Sequence, residues 1–169
     1  FALNPLVLIE WLVNAHNDAP MISLLLLSLY FLKQSRRLPA FISLLFSIGI
    51  KYVTVILLPF IFLAKRFSLS IITHFLLAAL SLAPLLYHYS YQYQPWYVTW
   101  IIPFVAILPS RPLIYIATAY SLGALLRYIP YISTGLWIGT PTYFALLTFV
   151  PPVLTALYFL ALRLAKRVA

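Results

Sequence analysis

The chain has 169 residues, 64% of them hydrophobic and only 8% charged, with 11 Lys and Arg against 2 acidic side chains. A water-soluble domain carries about 25% charged residues, so this composition excludes one and points to a polytopic membrane protein. The absence of cysteine excludes disulfides and thiolate metal sites, and the net charge of +9 is not a nucleic-acid footprint, because the cations stand at the ends of apolar runs instead of forming one patch.

Asn4 followed by Pro5 is a helix start: a side-chain cap, then proline at the first helical position. The apolar run 6–13 that follows is far short of the roughly 20 residues a bilayer requires, so it predicts an interfacial or packed half-helix. Residues 14–18 break it, and Asp18 is placed to cap the next helix, with Pro20 in the first turn. Residues 19–35 form the first predicted span and close on Lys33, Arg36 and Arg37. The segment 38–64 carries Gly49-Ile50-Lys51 at its middle. One straight helix would hold that lysine at mid-bilayer, at a cost of roughly 3 kcal/mol. Two short helices, 39–48 and 52–63, avoid this by forming a hairpin with Lys51 at its tip and returning the chain to Lys65 and Arg66. Residues 68–86 run back to an aromatic, polar loop at 87–94 that contains His88. Residues 95–108, interrupted at Pro103, lead to Arg111; residues 113–129 carry Arg127 near their end. A loop at 130–140 with Gly135, Trp137 and Gly139 precedes residues 141–162, kinked at Pro151-Pro152 and closed by Arg163, Lys166 and Arg167. The predicted fold is all-α, a single transmembrane helix bundle over residues 1–169 with about seven membrane helices plus the N-terminal half-helix.

By the tendency of cations to stay inside, Lys33, Arg36, Arg37, Lys65, Arg66, Arg111, Arg163, Lys166 and Arg167 mark the cytoplasmic side. Lys51 and Arg127 are then left outside with Glu10, His16, Asp18 and His88. Cations held at that level bind a lipid phosphate by charge-assisted hydrogen bonds; the plainer alternative is snorkelling to headgroups, which is the better reading for Arg127 and the weaker one for Lys51. His16-Asn17-Asp18 suits acid–base work, a metal or sugar hydroxyls, or is simply a helix cap beside a loop histidine. No second ligand cluster is visible, so no metal site is expected. Glu10, in an apolar helix, must be paired if buried, with Lys51 or Arg127 as partner, or else lies at the interface. Trp96, Tyr97 and Trp100 fit an interfacial aromatic belt and equally a surface for stacking on sugar rings.

Asn4-Pro5-Leu6, Glu10, Ala15-His16-Asn17-Asp18, a lysine at the end of a short apolar helix, and Pro95-Trp96-Tyr97 with Trp100 and Pro103 together resemble the multi-spanning glycosyltransferases of the C superfamily. The nearest groups are the bacterial polyprenyl-phosphate-mannose-dependent mannosyltransferases. The resemblance implies inverting transfer of a sugar, mannose by the nearest groups, from a polyprenyl-phosphate carrier to a glycan or glycolipid acceptor, on the outer face of the bacterial plasma membrane, with membrane lipid as the only other partner and no cofactor. It also implies a catalytic carboxylate in an outer loop upstream of Phe1, so the chain reads as the C-terminal part of a longer enzyme and is expected to be inactive alone. Carried over, His16 and Asp18 line the site and Lys51 lies near the carrier phosphate; Asn17, Trp96, Tyr97 and Arg127 complete the candidate substrate-binding set. Two other readings use the same features. A transporter or flippase of polyprenyl-linked or other anionic lipids would use the outer cations but usually carries internal repeats, and none is present. A non-catalytic membrane subunit would pack through small-residue faces, for which four glycines are a faint signal.

Overall fold

The structure, a computed structural model, describes residues 3–63, 66–86, 94–108, 110–136 and 138–168, with only the backbone for 85, 86, 167 and 168. The expected tyrosine-rich loop with His88, together with Lys65 and Trp137, lies outside the described residues. Everything described is helix or connection, without strands.

The first element, α1 (Pro5–Val7), begins as expected: the Asn4 side chain accepts from the amides of Leu6 at 3.0 Å and Val7 at 3.3 Å, and Pro5 occupies the first turn. It runs directly into a π-helical turn, Leu8–Val13. The half-helix is a packed element and not an interfacial one at its start, because Leu6 and Val7 are buried in the core. Asn4 Nδ2 donates to Ser121 at 3.1 Å and Trp11 Nε1 to Thr99 at 2.9 Å, so later helices hold it in place.

Helices α2 (Asp18–Lys33) and α3 (Arg37–Ile50) pack antiparallel. Small hydroxyls join them where the backbones come close: Ser28 donates to the Ala40 carbonyl at 2.8 Å and Ser47 to the Met21 carbonyl at 2.8 Å. In a lipid-like environment such interhelical bonds contribute about 0.6 kcal/mol each. Their real service is register. Met21 at the start of α2 is level with Ser47 at the end of α3, so the chain leaving α3 arrives back beside Asp18. One expectation fails here. Asp18 is the first helical residue and caps nothing; Asn17 occupies the cap position without a side-chain cap bond, because the Asp18 carboxylate is turned inward to other donors.

The break at Lys51 is present: its backbone is extended (φ −146°, ψ 123°), and α3 ends there. A 3₁₀ segment (Tyr52–Leu57) and α4 (Leu58–Leu63) return alongside α3, with the Phe41 and Phe62 rings 6.4 Å apart near the far end. Helix α5 (Leu69–Leu86) then leads back to the Lys51 end. The interruption expected at Pro103 separates α6 (Pro95–Thr99) from α7 (Ile102–Ile107), with Pro103 in the first turn of α7. Helix α8 (Arg111–Leu126) follows. Where a loop was expected at 130–140, Pro130 opens a short helix, α9 (Ile129–Thr134), which Gly135 ends in the left-handed region at φ 71°. Helix α10 (Pro141–Val168) completes the chain.

Among the described residues, two helical stretches, Arg111–Thr134 and Pro141–Lys166, are long and apolar enough to cross a membrane; the apolar helices 37–50, 52–63, 69–84 and 95–107 are shorter. Helix length alone thus supports a helical membrane bundle with two full-length candidate spans among the described residues, beside several shorter apolar helices. Leu146, Leu154, Leu157, Leu160 and Leu164 stand exposed on α10, a surface that water would penalise and lipid would not. The bundle has two chemically distinct ends. Lys33, Arg36, Arg37 and Arg66 stand together at one end of the α3–α4 pair and Arg111, Arg163 and Lys166 at one end of the α8–α10 pair, as the Phe41–Phe62 and Tyr115–Phe159 contacts show. Glu10, His16, Asp18, Lys51 and Arg127 stand at the opposite end.

The α8–α10 contact depends on one glycine. Pro151 and Pro152 lack amide hydrogens, which frees the carbonyls of Leu147 and Thr148 four residues earlier. Gly123 of α8 packs against those two groups: a methyl there would lie 2.5 Å from the Leu147 oxygen and 2.8 Å from the Thr148 oxygen. With no Cβ, the Cα hydrogens can approach the freed oxygens. Gly123→Ala is expected to lower the unfolding temperature in detergent, at about 1–3 kcal/mol for overpacking. Gly49→Ala, where nothing lies within 4 Å of the added methyl, is expected to preserve or raise it by helix propensity, about 0.5–1 kcal/mol. A thermal-shift comparison of the two variants checks both, and equal shifts would show that the α8–α10 approach is not tight.

Candidate functional site

Two networks form at the acidic end, one around each carboxylate. Asp18 is fully buried. Lys51 Nζ donates to its Oδ1 at 2.7 Å, and Trp100 Nε1 donates to the same oxygen. The second oxygen, Oδ2, is buried without a hydrogen-bond partner among the described residues. Lys51 also lies 5.5 Å from the Trp100 ring centroid. The geometry follows from the fold: α2–α3 pairing returns the chain to Asp18, the extended Lys51 backbone lets the side chain turn inward, and the break after α6 leaves Trp100 free of helical side-chain order. Lys51 is itself part-exposed and, with Tyr97 and Trp100, lines a cavity of about 470 Å³ whose other walls are mainly apolar side chains of 52–56 and the end of α5.

Glu10 is fully buried too, and neither expected cation is its partner. Tyr128 donates to Oε1 at 2.5 Å, Asn14 Nδ2 donates to Oε2 at 3.1 Å, and His16 Nε2 stands 3.3 Å from Oε2. Two hydrogen-bond donors and a nearby imidazole, in place of a lysine or arginine, satisfy the carboxylate. The π-helical turn supplies the spacing, since the Asn14 amide bonds back to the Ile9 carbonyl at 2.8 Å and puts Asn14 under Glu10. Ala15 next in line holds φ 50°, a left-handed conformation costly for a non-glycine residue, and turns His16 back toward Glu10. The His16 ring then stacks on Trp96 with centroids 4.4 Å apart.

Of the candidate residues, Asp18 and Lys51 are joined directly. His16 belongs with Glu10 and Trp96, not with Asp18, so the two are not an acid–base dyad in this arrangement. Trp96, Tyr97 and Trp100 form an edge-to-face ladder at 5.7 and 4.9 Å between the two networks. Asn17 is exposed at the head of α2, outside both. Arg127 is 4% exposed and does not snorkel: its guanidinium lies 5.1 Å from the Phe144 ring, because the turn after α8 folds it under the start of α10. It lines a groove of about 1000 Å³ with Trp96, Tyr128 and Asn14, apart from the Lys51 cavity. Tyr128 and Asn14 escaped sequence reasoning. The available signal was that a carboxylate in so apolar a chain demands donors, and tyrosine and asparagine supply them as well as a cation does.

Chemically, the arrangement offers a cation held by a carboxylate at the mouth of an apolar cavity, a buried carboxylate with a histidine, and ring faces between them. That set can hold a phosphate ester with an apolar tail and present sugar hydroxyls to aromatic and polar groups.

Residues 1–66 match the model of a family described as Alpha-(1->6)-mannopyranosyltransferase, N-terminal domain. The matched stretch contains Glu10, His16, Asp18 and Lys51 and excludes Trp96, Trp100 and Arg127. No curated protein and no solved structure matches the chain. The family match supports a mannosyltransferase function in general terms.

Proposed function

We propose that the chain is part of a membrane mannosyltransferase that moves mannose from a polyprenyl-phosphate carrier to a glycan or glycolipid acceptor at the outer membrane face, within a bundle whose helices pass the membrane about seven times counting short ones. The observation that carries this reading is the Asp18–Lys51 ion pair under Trp100 at the end of the bundle opposite the basic residues, inside the stretch that matches a mannosyltransferase family.

An ammonium group has three N–H donors. Asp18 occupies one, which fixes the direction of the side chain, and the others remain for a phosphate oxygen in the adjoining cavity. Asp18 is thus a positioning residue and Lys51 the group that meets the ligand. In the transfer, the acceptor hydroxyl oxygen bonds to the anomeric carbon, the bond from that carbon to the carrier phosphate breaks, and the hydroxyl proton passes to a base. Negative charge grows on the departing phosphate, where a fixed cation is most effective. The apolar walls beside Lys51 suit an isoprenoid chain; His16, Trp96 and Tyr97 present hydrogen bonds and ring faces to sugar.

Two measurements separate this role from a merely structural one. Lys51→Met strands a buried carboxylate and is expected to cost about 3–5 kcal/mol of stability; Asp18→Asn together with Lys51→Met removes both charges and recovers most of that loss. The double variant, in the full-length protein, is expected to fold while its mannosyl transfer from polyprenyl-phosphate-mannose falls by about 100-fold or more. Wild-type transfer in a folded double variant would reduce the pair to scaffolding and remove Lys51 from the site. Vesicle flux of the carrier without any product would replace the reading with a lipid transporter.

A further inference from the structure

We infer that the groove around Arg127 is a second anion subsite, separate from the Lys51 cavity, that takes the phosphate of a lipid-linked ligand. Charge accounting at this end of the bundle leads there. Asp18 is matched by Lys51, and Glu10 is matched by Tyr128, Asn14 and His16. Arg127 is left over. Its guanidinium has no ion pair or hydrogen bond to any described residue, and its buried Nε has no partner. The Phe144 ring at 5.1 Å offsets part of the charge. A guanidinium cannot relieve burial by losing its proton. A neutral oxygen in the groove can accept from its N–H groups but leaves the charge uncompensated, so the ligand best matched to it carries a negative charge.

The groove specifies more. At about 1000 Å³ it is roomier than one inorganic ion needs. Its walls alternate ring faces (Trp96, Tyr131, Phe144) with apolar side chains (Ile9, Leu125, Ile132), a lining for a phosphate that carries both a hydroxylated group and a hydrocarbon chain. A planar fork of donors fits phosphate better than a single ammonium does. The phosphate can come from a polyprenyl monoester or from a glycerophospholipid diester, and the two are separable by experiment. The inference rests on the burial of Arg127 and not on sugar transfer, so it can fail while the transferase reading stands.

The test is equilibrium binding without turnover, followed by intrinsic tryptophan fluorescence of the full chain in detergent, with farnesyl phosphate, farnesol and dioleoyl phosphatidylglycerol as probes. At least one of the two phosphates is expected to bind saturably, and the alcohol is not. Arg127→Met is expected to weaken that binding about 10- to 100-fold, the range for losing charged hydrogen bonds, with Arg127→Lys intermediate. Thermal unfolding guards against a folding artefact. Without ligand, Arg127→Met should match or exceed the wild-type unfolding temperature, because it removes an uncompensated buried cation; the binding phosphate should raise the wild-type value and not the variant's. Preference for farnesyl phosphate supports a carrier subsite, and preference for the diester supports a phospholipid-type ligand. Binding of neither phosphate, equal binding of farnesol, or unchanged affinity in Arg127→Met would overturn the inference.

Discussion

A carboxylate withdrawn from water must find donors inside the protein, and the bond from Lys51 to Asp18 meets that demand for the first half of the chain. Much of the neighbouring geometry serves it. The α2–α3 pair is held in register by Ser28 and Ser47 so that its open end brings the two residues level. Helix α3 stops at Lys51 with an extended backbone instead of continuing, and α6 stops so that the Trp100 indole can reach the same carboxylate oxygen. A continuous helix from 37 to 63 would carry Lys51 away from Asp18 and leave a charge buried alone.

The second carboxylate is handled differently, and the contrast is informative. Glu10 collects a phenol, an amide and an imidazole, and keeps no permanent cation for itself. This leaves Arg127 without an internal anion. The end of the bundle thus has one cation neutralised within the protein and one not, on opposite sides of the Trp96–Tyr97–Trp100 ladder. Two cavities of different lining follow from that division, one mainly apolar beside Lys51 and one with amide and aromatic walls beside Arg127.

The parts legible from sequence were those governed by a local cost. The hairpin at Lys51 follows from the expense of a lysine inside an apolar helix, and the helix start at Asn4-Pro5 from capping alone. The grouping of Lys51 and Arg127 with the acidic residues follows from counting which cations lie away from the basic ends. What could not be read were choices made between distant segments. Asp18 has the residue type and position of a cap, and only packing against Lys51 and Trp100 turns it inward. Glu10 was matched in thought to a cation because charge is visible in a sequence, while the orientation of a tyrosine 118 residues away is not. Arg127 at a helix end looks like a snorkelling residue until the start of α10 folds over it. The helix at 129–134 was hidden by its proline, which opens a helix as readily as it ends one.

The freed carbonyls of α10 have an effect beyond their own neighbourhood. Gly123 meets the Leu147 and Thr148 oxygens one helical turn before Arg127 on α8, and those oxygens lie one turn after Phe144 on α10. The contact therefore acts as a latch on axial sliding: it sets the height of one helix against the other, and with it the placement of the guanidinium over the ring. A change at the prolines, which touch neither Arg127 nor Phe144 in sequence, would hand the carbonyls back to their own helix, release the latch and shift that stacking from a full turn away.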